Sequence, residues 1–183
     1  APLNSRPAPP LTASPTDIPR PPTPEDLKNP VLWMSHAHAM AECARIVFEN
    51  KPNLDHLPEE VKGVCDAQYC AVGLMLVGYS LEICLKGMLI IRNGVENYSE
   101  KTNMHHRLVE LADFIEGLSE KDKAILKALT SFTYWAGRYP DPGSKRIGEA
   151  TDVFDISETY QISAKDLFGL AGRVMAHSQK VID

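Results

Sequence analysis

The sequence predicts an all-α fold: an antiparallel four- to five-helix bundle around one buried central helix, preceded by a Pro-rich extended arm. Three observations carry this. Residues 69–92 (YCAVGLMLVGYSLEICLKGMLIIR) are apolar on nearly all sides over a helix-length run, so no face is left for solvent and other helices must surround it. The segments on either side repeat apolar residues at three- and four-residue steps, the period of a helix with one buried stripe. No segment shows the two-residue alternation of a half-buried strand. Glu82 and Lys86 interrupt the central run, and each would be costly in lipid, so the run reads as a core helix rather than a membrane span.

Residues 1–30 hold ten of the fourteen prolines. Proline removes amide donors and resists helix, which predicts an extended, solvated arm, with the bundle occupying residues 31–183. The first helix is expected over 31–50, where Trp33, Ala37, Met40, Ala44, Val47 and Phe48 share one face. Pro52 and Pro58 punctuate a connection. The central helix follows from about residue 64 to 92 and stops at Asn93-Gly94, a helix terminator. A polar loop over 95–103 leads to a third helix over 105–115, with Leu108, Leu111, Ala112 and Ile115 as its stripe. Ser119 is the expected N-cap of a fourth helix carrying acidic residues in its first turn and ending near Tyr139-Pro140. Residues 140–155 are rich in turn formers and read as the longest internal loop. The last helix spans 163–181, with Leu167, Leu170, Ala171 and Val174 facing inward.

At 183 residues and 44% hydrophobic content the chain can bury a real core. The net charge is −5, and charges in the arm balance, so the globular part carries the acidity. A broad phosphate-gripping basic surface is therefore excluded, and any nucleic-acid site must be a local patch. Cys43, Cys65, Cys70 and Cys84 lie in or beside apolar helical runs, which predicts buried, reduced thiols. No apolar run follows the first residues, so no secretory leader is expected, and the predicted location is cytoplasmic, with no membrane partner.

Four groups of residues carry candidate chemistry. Glu82 and Lys86 stand one turn apart in the orientation that favours an ion pair, and with Tyr79 they form one polar stripe on an apolar helix. Burial requires that such charges either pair or line a cleft. His105, His106 and Arg107 open the third helix, where the helix dipole disfavours imidazolium and favours a neutral, proton-accepting histidine. Residues 134–140 (YWAGRYP) form the densest aromatic cluster. Within it Arg138, beside Tyr139, has the planar fork that binds phosphate or stacks on a base. Arg173 and His177 are four apart on the last helix and share a face. His36 and His38 point to different sides of their helix and make a poor metal pair. No Gly-rich phosphate loop, H-E-x-x-H or nucleophile signature is present, and neither metal nor cofactor is expected.

YSLEICLKGMLI in the central helix, HRLVEL after it and YWAGRYP closing the next helix occur in this order, and together they resemble the HEPN superfamily (higher eukaryote and prokaryote nucleotide-binding domains) over residues 31–183. The resemblance implies a helical bundle, commonly a homodimer with a cleft along the subunit interface. Many relatives are metal-independent ribonucleases of toxin–antitoxin, phage-defence or RNA-processing systems. Their signature is an Arg, a polar residue and, after four to six intervening positions, a His. Here Arg138 has Gly143, Ser144 and Lys145 at those positions, while Arg173 and His177 are separated by three residues, with apolar Val174 after the Arg.

The leading expectation is therefore a non-catalytic HEPN-like domain that binds a nucleotide or RNA, or docks a partner, through a cleft lined by Glu82, Lys86, Arg138 and Tyr139. Two alternatives stand beside it. One is a ribonuclease using Arg173 and His177, or His106, in a dimeric cleft. The other is a structural interaction domain of a larger protein, with residues 1–30 as linker or as ligand of a Pro-binding partner.

Overall fold

The computed structural model describes residues 21–50, 52–98, 103, 105–141, 143 and 147–182. The chain is mostly helical, with no strand among the described residues. The first twenty residues of the expected arm lie outside this range. The rest of the arm is not extended: Pro24–Leu27 forms a helical turn, α1. Its cap is reciprocal, since the Thr23 amide donates to Asp26 Oδ2 at 2.9 Å and the Asp26 amide donates to Thr23 Oγ1 at 3.1 Å. The indole N–H of Trp33 donates to the Leu27 carbonyl at 3.0 Å and holds this turn against the next helix. The prolines at 24 and 30 sit where a helix tolerates them, in its first turn.

α2 (Pro30–Glu49) starts at Asn29, whose side chain accepts from the Val31 amide. α3 (Glu59–Asn93) is 35 residues long, five more at its amino end than expected, and it stops at Gly94 with φ 83°. It spans about 50 Å at 1.5 Å per residue. A Cβ placed on Gly73 would meet Phe48, while one on Gly87 would meet Trp33 and Met34. The low-numbered end of α2 therefore faces the high-numbered end of α3, and the two run antiparallel. α3 is long and apolar enough to cross a membrane, yet 61% of its most apolar window is buried inside the fold. Leu81, Leu85 and Met88 are fully enclosed, with Leu126, Leu129 and Leu170 packed in the same core.

Two connecting segments depart from expectation. α4 (Val95–Tyr98) is a single turn in the expected loop, and the expected third helix shrinks to the turn α5 (Leu108–Leu111). The Ala112 amide turns back to the carbonyls of Leu108 and Glu110, and Gly117 adopts φ 80° soon after. The apolar stripe is nevertheless inside, since Leu108, Leu111 and Ala112 are buried. The Leu108 amide, left open at the start of the turn, donates to Thr130 Oγ1.

α6 (Glu120–Ser131) begins with the expected Ser119 cap, a full capping box with Asp122. It continues into a π-helical turn, Phe132–Ala136, and Gly137 closes it. A Cβ on Gly137 would lie 2.3 Å from Met75 Cβ, so the end of this helix is set directly on α3.

Residues 140–155 are not one long loop. Pro142 and residues 144–146 lie outside the described residues, and α7 (Ile147–Tyr160) begins immediately afterwards. Its half-buried Val153 and Ile156 are three apart and share a face, a spacing outweighed in the sequence by the nearby Pro, Gly and Asp. Gln161, with φ 45°, turns the chain into α8 (Ala164–Ile182), where Ser163 and Asp166 form another reciprocal cap. The cysteines also differ from expectation. All four are free, but Cys43 and Cys70 are exposed and only Cys84 is buried. The apolar runs that carry Cys43 and Cys70 turn those positions outward.

Candidate functional site

The polar stripe on α3 is buried. Glu82 and Lys86 are 5% and 7% exposed, and the Lys86 ammonium donates to Glu82 Oε1 at 2.7 Å. Their spacing places both on one side of α3 one turn apart, and burial forces them together because neither charge has water to solvate it. Their charges cancel, so these two side chains form a closed, neutral floor rather than the lining of an open cleft.

His106 completes the network. Its Nδ1 lies 2.9 Å from both carboxylate oxygens of Glu82. A carboxylate paired to lysine only accepts, so Nδ1 carries the proton, and in the neutral ring Nε2 keeps its lone pair. The side chain is 45% exposed, and the ring meets Tyr134 edge-on at 5.2 Å between centroids. A buried acid, fixed by a buried base, thus anchors a half-exposed imidazole through its inner nitrogen. That arrangement can accept a proton or hydrogen bond at Nε2 or, once protonated, donate one to an anion.

Tyr98 and His105 complete the surroundings. The Tyr98 hydroxyl is buried without a hydrogen-bond partner among the described residues, and burial together with the Glu82 charge pushes its ionisation up to about 12. It stays a neutral phenol. Its ring packs edge-on against Trp33 at 5.4 Å, which links the α1–α2 corner to the network. The neighbouring His105 is held below the usual histidine range, first by burial and then by the Arg107 guanidinium.

Arg138 and Tyr139 are exposed and reach this region through Tyr79. The Arg138 guanidinium donates to the Tyr139 hydroxyl at 3.1 Å, lies over that ring at 5.1 Å, and makes a long 3.5 Å contact to the Tyr79 hydroxyl. Tyr79 in turn donates to the Thr133 carbonyl at 3.3 Å. It stands three residues before Glu82 on α3, so Arg138 is tied about one helical turn from the buried carboxylate.

Arg173 and His177 are placed elsewhere. Arg173 is ion-paired with Asp122, the capping residue of α6, and His177 lies against Phe114 at 6.0 Å between ring centroids. No described contact joins either of them to His106. Among the described residues no group of three or more His, Cys, Asp and Glu comes together as a metal site.

The spacing in the sequence pairs Glu82 with Lys86, but offers His106 only as an alternative to Arg173 and His177. The His106–Glu82 contact spans 24 positions and leaves no local signature. Tyr98 carries no local signal, and Tyr134 is marked only as a member of the 134–140 aromatic cluster. No family model, curated protein or solved structure matches this chain.

Proposed function

We propose that the chain is a HEPN-like helical bundle that binds a nucleotide or a segment of RNA at the surface formed by His106, Arg138 and Tyr139, over the buried Glu82–Lys86 pair. The single observation that supports this most is the anchoring of His106 Nδ1 by Glu82, which fixes a half-exposed ring through its inner nitrogen. Arg138 supplies the permanent positive charge and the planar fork that suit a phosphate, and Tyr139 supplies a ring for a base. Glu82 and Lys86 position the histidine and do not meet the ligand. The same resemblance that suggests this class suggests a homodimer, a cytoplasmic location and a link to a defence or toxin–antitoxin system. Light scattering on the purified chain tests the first of these.

The binding test is fluorescence anisotropy with labelled single-stranded RNA and with a labelled nucleotide. His106→Ala and Arg138→Ala each weaken binding at least tenfold in this account. Unchanged affinity in both variants refutes the site.

A second reading is favoured by one specific feature, the lone pair presented at Nε2. It is metal-independent RNA cleavage in which His106 takes the proton of a ribose 2′-hydroxyl as that oxygen attacks the adjacent phosphorus; the bond to the 5′-oxygen of the next nucleotide breaks, that oxygen takes a proton from water, a 2′,3′-cyclic phosphate is left, and Arg138 stabilises the charge that develops. Arg173 is already engaged by Asp122 and serves this reading less well. Cleavage in chelator by the wild type, lost in His106→Ala and kept in His177→Ala, supports it. No cleavage by the wild type leaves binding as the function.

A further inference from the structure

In a chain of net charge −5, most described cations are neutralised within the fold. Arg45 pairs with Glu42 and Glu49, Lys62 with Asp55, Arg107 with Glu110, Lys121 with Asp166, Lys123 with Glu120 and Arg173 with Asp122. Arg92 and Lys180, like Arg138 and Lys165, stand outside these pairs. Neither has a carboxylate within ion-pair distance among the described residues, and both line the same groove, a cavity of about 580 Å³ between the end of α3, the segment after α5 and the end of α8. Phe114, Glu116 and His177 line it as well. A second cavity of about 320 Å³ shares Glu116, His177 and Lys180 and extends the groove to Arg173.

The aromatic ring organises these charges. The Arg92 guanidinium lies over the Phe114 ring at 4.7 Å, and His177 lies against the same ring. A guanidinium held over a ring keeps its N–H edge available for an oxyanion while its carbon rests on the π-face. Glu116 is the one acid lining the first cavity, and it pairs with neither cation.

We propose that this groove is a second binding site, which takes a nucleotide through its phosphate. Arg92 and Lys180 hold the phosphate oxygens. Phe114 and His177 offer planar walls to the base, and Glu116 accepts a hydrogen bond from an exocyclic amine or a ribose hydroxyl. Arg92 lies ten residues beyond Glu82 on α3, about 15 Å along the helix axis. The groove is therefore separate from the His106 network and does not depend on what binds there.

The test is an amide NMR titration of the full chain with adenosine 5′-monophosphate and, separately, inorganic phosphate. Three variants accompany the wild type: Arg92→Ala with Lys180→Ala, the charge reversal Arg92→Glu, and His106→Ala. The nucleotide is expected to shift amides of residues 114–118 and 177–181. Affinity at those amides falls at least tenfold in the double variant and in Arg92→Glu, and is retained in His106→Ala. Arg92 and Lys180 are exposed, so away from the groove the amide spectra of the double variant and of Arg92→Glu stay that of the wild type. With single-stranded RNA in place of the nucleotide, the salt dependence of log K flattens by about 1.4 in the double variant, two phosphate contacts at about 0.7 each. Three results would overturn the proposal: no shift at these amides in the wild type, equal affinity in the double variant, or inorganic phosphate binding as tightly as the nucleotide.

Discussion

Removing the Lys86 ammonium alone is expected to unbalance the protein more than any nearby surface change. Lys86 and Glu82 are both more than nine-tenths buried and share a 2.7 Å contact. Lys86→Met leaves the Glu82 carboxylate buried with His106 as its one other partner among the described residues. Breaking a buried pair by taking one member costs about 3–5 kcal/mol, mostly from the charge left behind. At about 2–4 °C per kcal/mol for a chain of this size, the melting midpoint falls by roughly 6–20 °C. Glu82→Leu combined with Lys86→Met removes both charges and fills the space with apolar atoms, so it recovers most or all of that loss. The assay is urea unfolding followed by circular dichroism for the wild type, both single variants and the double variant. A Lys86→Met protein within about 1 kcal/mol of wild type refutes the reasoning, because a pair worth so little is not holding a buried charge. A double variant no more stable than the singles refutes it equally.

Three further outcomes follow from the packing and electrostatics. Gly78→Ala places a Cβ 2.6 Å from Thr133 Cγ2 and 3.1 Å from the Leu129 carbonyl. Overpacking of this kind costs about 1–3 kcal/mol, read as a lower denaturation midpoint. Asp166 is held well below the usual carboxylate range, first by its hydrogen bond to Lys121 and then by Ser163. A depressed folded-state value means this stabilisation is present above the unfolded carboxylate value, about 3.9, and is lost as pH falls below it. The melting midpoint should therefore fall less between pH 5 and pH 2 in Asp166→Asn than in the wild type. Burial pushes the Cys84 thiol up to about 11, so iodoacetamide at pH 8 should label the exposed Cys43 and Cys70 first and Cys84 only on unfolding, as read by peptide mass mapping.

The long-range geometry decided what was legible in advance. The central helix stood out because an apolar run from Tyr69 to Arg92, about seven turns long, needs no partner to be recognised, and the Ser119 cap because its chemistry is local. α8 was equally plain, its inward face recurring at helical steps from Leu167 to Val174. α7 was obscured by the Pro, Gly and Asp residues just before it, which are strong local punctuation beside a short and weakly apolar stripe. The segment after His105 carried the right stripe for a helix, yet Gly117 and the turned-back Ala112 amide end it after one turn. The Glu82–Lys86 pair was visible as a spacing on one helix. Its third member was not, because His106 reaches it across a change of direction that no periodicity records. The same holds for Arg92 and Lys180, brought to one groove from the end of α3 and the end of α8.

The account rests on His106 as a ring fixed through Nδ1 and open at Nε2, and nitrogen NMR of the imidazole tests this most directly. With ¹⁵N-labelled histidine at pH 8, and the signals assigned through His106→Ala, the neutral ring should show the proton on Nδ1, with Nε2 unprotonated. Adding single-stranded RNA or a nucleotide should move the Nε2 resonance and leave Nδ1 nearly in place. A neutral ring protonated at Nε2, or RNA bound with no change at either nitrogen, would contradict it.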